Sequence, residues 1–193
     1  MSTADELKEQ GVKLFIQHEY ESAADLFKQA RSAYETEGKQ DLSVEMQVNL
    51  GLIERALGNY ESAVQLMNGA REFFAGLSDR SREAQVIGNL GGVYLAQGNT
   101  EQAVTLYREA ADTFHDLGDE ERYGQTLLAL ADIQIRAGKF MQAATTYEIA
   151  LDSIKNLSFR QKLLKGLLDV KSRIAGGGAP SADKKTDTEK PNT

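Results

Sequence analysis

The sequence contains no cysteine and no tryptophan, and its only two prolines, Pro180 and Pro191, lie near the C-terminus. The absence of cysteine excludes disulfides, thiolate metal ligands and cysteine nucleophiles. No apolar run approaches the roughly 20 residues of a membrane span, and charged residues interrupt the N-terminus before a leader pattern can form. We therefore expect a cytoplasmic protein without a membrane span.

Sequence patterns typical of catalytic sites are also missing. The two histidines, His18 and His115, are far apart in the chain, and there is no phosphate-binding glycine loop, nucleophile elbow or His-Glu-x-x-His pattern. The sequence therefore predicts a protein that is not an enzyme and that binds neither a metal nor a cofactor.

Acidic side chains outnumber basic ones outside one segment. The formal net charge is −7, whereas residues 158–174 carry five basic side chains and one acidic side chain. The rest of the chain is strongly acidic, which disfavours the phosphate contacts that dominate binding to nucleic acids. We expect no nucleic-acid partner.

A single pattern recurs four times with a period of 40 residues. Each copy contains two apolar helical patterns, of which the second begins with an aromatic residue in three copies and carries alanines at fixed positions in all four. A fixed period of this length indicates a repeat solenoid, in which each unit packs on its neighbours. Third-copy markers are Asn89, Gly91, Gly98, Ala103, Tyr107 and Ala110, and second-copy markers are Asn49, Gly51, Gly58, Tyr60, Ala63, Met67 and Ala70.

Cap patterns divide the chain further. Thr3 followed by Glu6 predicts a capping box at the first helix, and Ser158 followed by Gln161 predicts another at a ninth helix. We predict repeats at about 3–37, 42–76, 82–117 and 121–156, and a basic amphipathic cap helix at 158–174. These segments form one domain, 1–174, and residues 175–193 are predicted to be a disordered tail.

The repeated pattern of small and aromatic residues resembles the tetratricopeptide repeat. The resemblance implies an all-α, right-handed α-solenoid of four helix pairs with a C-terminal capping helix. Tryptophan and the usual closing proline of that repeat are missing, and the period is 40 rather than about 34 residues. The long period is similar to that of LGN/Pins adaptors, kinesin light chains and bacterial Rap-type regulators, which bind peptides or proteins in a concave groove.

The same resemblance implies which residues line such a groove. They come from the first helix of each pair and combine apolar side chains with carboxamides, glycines and a few charges. Lys8 and Asn49 match the chaperone-tail clamp of some family members, but Val12, Gln85 and Asn89 depart from it. The predicted groove residues are Lys8, Val12, Phe15, Val48, Asn49, Leu52, Arg55, Gly88, Asn89, Gly92, Leu95, Leu128, Asp132, Ile135 and Arg136.

Two pairs among these residues can each be interpreted in two ways. Asn49 and Asn89 occupy equivalent positions, and each carboxamide either pairs with the backbone of a bound segment or is simply solvated. Gly88 and Gly92 lie four residues apart, and a helix-interior glycine costs about 1 kcal/mol relative to alanine. Either they keep the groove floor low for a partner, or a neighbouring repeat fills the space above them.

The sequence predicts a protein-binding adaptor or scaffold that takes a peptide or helical segment of a partner. Two alternatives stay open. One is self-assembly as a weak homodimer, in which the acidic body meets the basic helix of a second copy. The other is a regulator that senses a small molecule or a peptide.

Overall fold

The computed structural model describes residues 3–175, with side chains through residue 168. Within these bounds every regular element is an α-helix, and none is long and apolar enough to cross a membrane. The helices are α1 (Ala4–Ile16), α2 (Tyr20–Thr36), α3 (Gln40–Ala56), α4 (Tyr60–Gly76), α5 (Arg80–Ala96), α6 (Thr100–Asp116), α7 (Glu120–Arg136), α8 (Phe140–Ser153) and α9 (Phe159–Ala175).

The described chain divides into two compact units at residues 156 and 157. The first unit contains α1 to α8, and the second contains α9. Apart from Ala175, which ends α9, the predicted disordered tail lies outside the described residues. The predicted role of α9 as a cap stays a prediction.

Helix pairs stacked in series form the first unit, because each helix packs mainly against the next one along the chain. This arrangement confirms the predicted all-α solenoid. Helices α2 to α7 are each 17 residues long. Three-residue turns separate them, and two helices plus two turns account for the 40-residue period.

Each turn relies on a residue with left-handed backbone conformation. After α3, the amide of Gly58 donates to the carbonyl of Arg55 at 3.1 Å, and the amide of Asn59 donates to the carbonyl of Glu54 at 2.8 Å. These bonds satisfy the last carbonyls of the helix and reverse the chain within three residues. Positive φ values occur at Gly38, Gly58, Gly98, Gly118 and Gly138, and also at His18 and Ser78.

Small residues lie where the two helices of a pair cross. A Cβ atom on Gly11 would lie 2.8 Å from the Phe27 ring, and one on Gly91 would lie 3.2 Å from the Tyr107 ring. The partner helices contribute fully buried alanines, among them Ala23, Ala63 and Ala103. Close approach of the helices therefore depends on small side chains beside large ones, as helix packing requires.

Both predicted capping boxes are present. Glu6 Oε2 accepts a hydrogen bond from the Thr3 amide at 2.9 Å, and Thr3 Oγ1 accepts one from the Glu6 amide at 3.2 Å. Ser158 and Gln161 exchange the same pair of bonds at the start of α9. Local side chains thus fix where these two helices begin.

Candidate partner-binding groove

The odd-numbered helices α1, α3, α5 and α7 form one face of the first unit, which we call the groove face. Two cavities open on it. The first, of about 270 Å³, lies between α1, α3 and α5 and is lined by Lys8, Val12, Glu45, Val48, Asn49, Phe74, Arg82, Gln85 and Val86. The second, of about 530 Å³, lies one repeat further along and is lined by Arg55, Gln85, Gly88, Asn89, Tyr107, Phe114, Arg122, Gln125, Thr126 and Ala129.

The two asparagines hold corresponding places in these cavities. Asn49 on α3 lines the first, and Asn89, 40 residues later on α5, lines the second. Both side chains are partly buried. Each carboxamide therefore lies against the wall of a cavity, where it can still offer a donor and an acceptor to a ligand.

Arg82 joins three carboxylates at the edge of the first cavity. Its Nε donates to Asp79 Oδ2 at 2.6 Å, and its Nη1 donates to Asp41 Oδ2 at 3.0 Å and to Glu45 Oε1 at 3.3 Å. The guanidinium also lies 4.8 Å from the centroid of the Phe74 ring, a cation–π distance. Lys8 Nζ lies 3.5 Å from Glu45 Oε2, so a second cation shares the cluster.

These contacts shift the titration of the carboxyl groups. The Arg82 guanidinium holds the pKa of Asp41 below its usual range through a hydrogen bond. The amide and guanidinium of Arg82 hold the pKa of Asp79 below its usual range in the same way, although partial burial opposes the shift. Both carboxylates therefore stay ionised at neutral pH and keep Arg82 compensated.

Arg122 repeats part of this arrangement in the second cavity. Its amide and its Nε donate to the Asp119 carboxylate at 3.0 and 2.6 Å, and its guanidinium lies 5.0 Å from the Phe114 ring centroid. The positions that correspond to Asp41 and Glu45 are occupied by Ser81 and Gln85. The two neighbouring cavities therefore differ in charge.

The two glycines of the groove face have different surroundings. A Cβ atom on Gly92 would lie 2.5 Å from Arg55 Nη1 and 3.3 Å from the Tyr107 hydroxyl, so a side chain of the preceding repeat fills that space. A Cβ atom on Gly88 would have Ala110 Cβ as its nearest neighbour, at 3.7 Å, and Gly88 lines the second cavity.

The Tyr107 hydroxyl lies in the same cavity. Burial raises the pKa of this hydroxyl, while the charge of Arg55 opposes the rise.

The structure brings together about half of the residues predicted to line the groove. The first cavity contains Lys8, Val12, Val48 and Asn49, and the second contains Arg55, Gly88 and Asn89. Phe15 and Leu52 instead pack against the hydrophobic core. The remaining predicted residues, apart from Gly92 beneath Arg55, line neither cavity; these are Leu95, Leu128, Asp132, Ile135 and Arg136.

One of these outer residues is held by a tyrosine. Asp132 accepts a hydrogen bond from the Tyr147 hydroxyl of the paired helix. Partial burial, followed by this carboxylate, raises the pKa of Tyr147 to about 12. Asp132 is therefore oriented toward α8 by its own repeat.

Sequence analysis missed Phe74, Arg82, Tyr107, Phe114 and Arg122 as cavity residues. Three of them belong to the second helix of a pair, from which no groove contribution was expected. A signal for the arginines was present, because Asp79-x-x-Arg82 recurs as Asp119-x-x-Arg122 after 40 residues. Within residues 3–168, no group of three or more His, Asp or Glu side chains could hold a metal ion.

Comparison with known families agrees with this geometry. The family model described as tetratricopeptide repeat matches residues 42–114 and 82–156, which together cover more than half of the chain. The chain belongs to the tetratricopeptide-repeat (TPR) family. TPR repeats generally mediate interactions between proteins.

A structural comparison supports the TPR fold. The crystal structure of BtubC (BKLC) from P. vanneervenii superposes with a TM-score of 0.68, covering 98% of this chain and 87% of that chain at 17% sequence identity. At this identity the similarity establishes the fold alone. A search of curated proteins found no match.

Proposed function

We propose that this TPR protein is a non-enzymatic adaptor that binds a peptide or helical segment of a partner protein along its groove face. The observation that carries the proposal is the placement of Asn49 and Asn89, which line successive cavities at corresponding positions. A carboxamide repeated along a groove can pair with successive backbone amides without regard to the side chains attached.

The walls of the first cavity suit an apolar side chain. Val48, Phe74 and Val86 line it beside the compensated Arg82 cluster. An apolar side chain of the partner would lose water there while the carboxamide of Asn49 holds the adjacent backbone. Repetition of the carboxamide in the next cavity favours an extended segment over a helix, because helical backbone groups already pair internally.

The proposal is tested with a double variant, Asn49→Ala and Asn89→Ala. Peptides are first selected from a random display library on the wild-type protein, and their dissociation constants are then measured by fluorescence anisotropy. Loss of two hydrogen bonds of about 0.5–1.5 kcal/mol each is expected to weaken binding by about tenfold or more.

The matched control is Asn68→Ala, because Asn68 is exposed on α4 and lines neither cavity. Circular dichroism establishes that all three proteins have the same helix content. Equal affinities for wild type, control and double variant would refute groove binding through the asparagines.

A further inference from the structure

The second cavity is lined by two arginines that have fewer carboxylate partners than Arg82 has in the first cavity. Arg55 and Arg122 both line it, together with three carboxamides and the Tyr107 hydroxyl, and no aspartate or glutamate is among the lining residues. Asp119 binds Arg122 from outside the cavity. Arg55 forms no ion pair with any residue that the structure describes.

The preceding repeat contains two carboxylates that the second cavity lacks. Arg82, the counterpart of Arg122, uses its Nε for Asp79 and its Nη1 for two carboxylates of α3, Asp41 and Glu45. Arg122 uses its Nε for Asp119 in the same way. Its counterparts of Asp41 and Glu45 on α5 are Ser81 and Gln85, whose side chains carry no charge.

The geometry of the Arg82 cluster therefore serves as an internal template. It shows that an arginine at this place in the repeat donates from Nη1 to carboxylate oxygens of the preceding groove helix, at 3.0 and 3.3 Å. The partly buried guanidinium of Arg122, which lacks these two partners, can donate to a carboxylate of a ligand instead, and charge-assisted bonds of this kind are stronger than neutral ones.

We propose that the second cavity binds the side-chain carboxylate of a glutamate or aspartate in the partner segment, held by Arg122 and Arg55. The carboxylate takes the place on Arg122 that Asp41 and Glu45 take on Arg82. This inference rests on the proposed function, since the same segment passes Asn49 and Asn89. Binding of the carboxylate adds selectivity for the sequence of the segment, because the carboxamides alone pair only with its backbone.

The charge difference between the cavities also sets the direction of the bound segment. The first cavity already contains Glu45 beside Arg82 and Lys8, so an acidic side chain placed there would meet a compensated cluster. The partner segment therefore places its acidic residue over α7 and an uncharged residue over α1 and α3. Reversal of the segment would place the carboxylate away from Arg55 and Arg122, which disfavours that orientation.

The test uses the same random peptide library on four forms of the full chain. Besides wild type, the first variant is Ser81→Asp with Gln85→Glu, which restores the two carboxylates and fills the site from within. Acidic residues near the start of α5 are favourable there, so the fold is expected to stay intact. The charge-matched control is Ser62→Asp with Gln65→Glu on α4, since both residues lie away from the two groove cavities.

The fourth form, Asp41→Ser with Glu45→Gln, removes the template carboxylates and frees Arg82. Wild type is expected to select peptides with an acidic residue at one fixed position. That preference should disappear with the restored carboxylates, with affinity for the selected peptide about tenfold weaker, and persist in the control. The fourth form should select a second acidic position.

Other outcomes separate the two proposals. Selected peptides that lack a fixed acidic position, or that keep it when Ser81 and Gln85 are made acidic, would overturn this inference and leave the adaptor function standing. If no peptide is selected on any form, or if binding is insensitive to the asparagine double variant, both proposals fall. Circular dichroism on each form excludes unfolding as the cause.

Discussion

Ser78 is, with His18, one of two non-glycine residues in the described chain that have a left-handed backbone conformation. It has φ of 56° in a turn where five equivalent positions in other turns are glycine. The left-handed conformation costs a residue with a side chain about 1–2 kcal/mol. No compensating contact of the Ser78 side chain is needed for the turn, because its backbone bonds match those of the glycine turns.

Ser78→Gly is expected to stabilise the protein by about 0.5–1 kcal/mol, since relief of strain exceeds the added entropy of a glycine in the unfolded chain. The free energy of unfolding in urea measures the effect. Gly58→Ser is the reverse control, because nothing lies within 4 Å of a Cβ atom at Gly58 and only backbone strain is introduced. A destabilised Ser78→Gly protein would contradict the argument.

Two other glycines are expected to respond to alanine in opposite directions. Gly88→Ala should raise the free energy of unfolding by up to about 1 kcal/mol, because the nearest atom to the new methyl is 3.7 Å away. Gly124→Ala should lower it by about 1–3 kcal/mol, because the methyl would lie 2.7 Å from the Ala150 carbonyl oxygen and from Ile154 Cγ1. Thermal unfolding of both variants and of wild type measures the two changes. A change of the same sign in both variants would refute the prediction.

At the scale of helices, two arginines connect adjacent repeats. Arg82 on α5 binds Asp41 and Glu45 on α3. On α4, the Nε atom of Arg71 lies 3.7 Å from Oε1 of Glu83 on α5, and its Nη2 atom lies 2.6 Å from Oε1 of Glu109 on α6. Such links resist sliding of one repeat over the next, although each exposed pair contributes little by itself.

Arg82→Gln is expected to cost about 1–2 kcal/mol of stability at neutral pH, because it leaves Asp41 and Asp79 without their cation and Glu45 with Lys8 alone. Arg122→Gln, which leaves only Asp119, is expected to cost less than about 1 kcal/mol. Urea unfolding measures both. Equal costs would mean that the bonds to α3 contribute nothing.

The Arg82 network also predicts a dependence on acid. The folded-state pKa of Asp41 lies below its unfolded value, so its contribution is present at pH above about 4 and is lost as the pH falls through the folded pKa. The stability difference between wild type and Arg82→Gln is therefore expected to shrink below about pH 4. Urea unfolding across acidic pH checks this, and a constant difference would assign the effect to packing on Phe74 instead.

At the scale of the whole first unit, most of the buried residues of α1 to α6 form two hydrophobic clusters rather than one core. One cluster centres on Phe27 and Tyr34 near α1 to α3, and the other extends from α3 to α6 and includes Phe74 and Phe114. Helix α3 contributes to both. A repeat array with this organisation is expected to lose structure locally, because each repeat depends mainly on its neighbours.

Phe27→Ala should cost about 3–5 kcal/mol within its cluster. We expect the amides of α1 and α2 to lose protection in hydrogen exchange, while those of α5 and α6 keep most of theirs. Phe114→Ala is the matched variant and should show the opposite distribution. Uniform loss of protection in both variants would show that the unit unfolds as a single cooperative body.

Sequence by itself determined the helix pairs, their period and the capping boxes. These features depend on local backbone preferences and on a pattern repeated at fixed spacing, as with Thr3 and Glu6 or with Gly91 beneath Tyr107. Asn49 and Asn89 were also identified this way, because the family resemblance maps them onto equivalent positions. In the structure they line successive cavities, and their role in binding stays a prediction.

Only the tertiary structure decided how the charged side chains are paired. Arg82 reaches carboxylates 37 and 41 residues away, and Arg55 covers Gly92 from the preceding repeat. Long side chains choose among several acceptors on adjacent helices, so the pairing depends on helix spacing and rotation that no local pattern encodes. For this reason no local pattern indicates that Arg82 has three carboxylate partners, whereas Arg122 has one and Arg55 has none among the described residues.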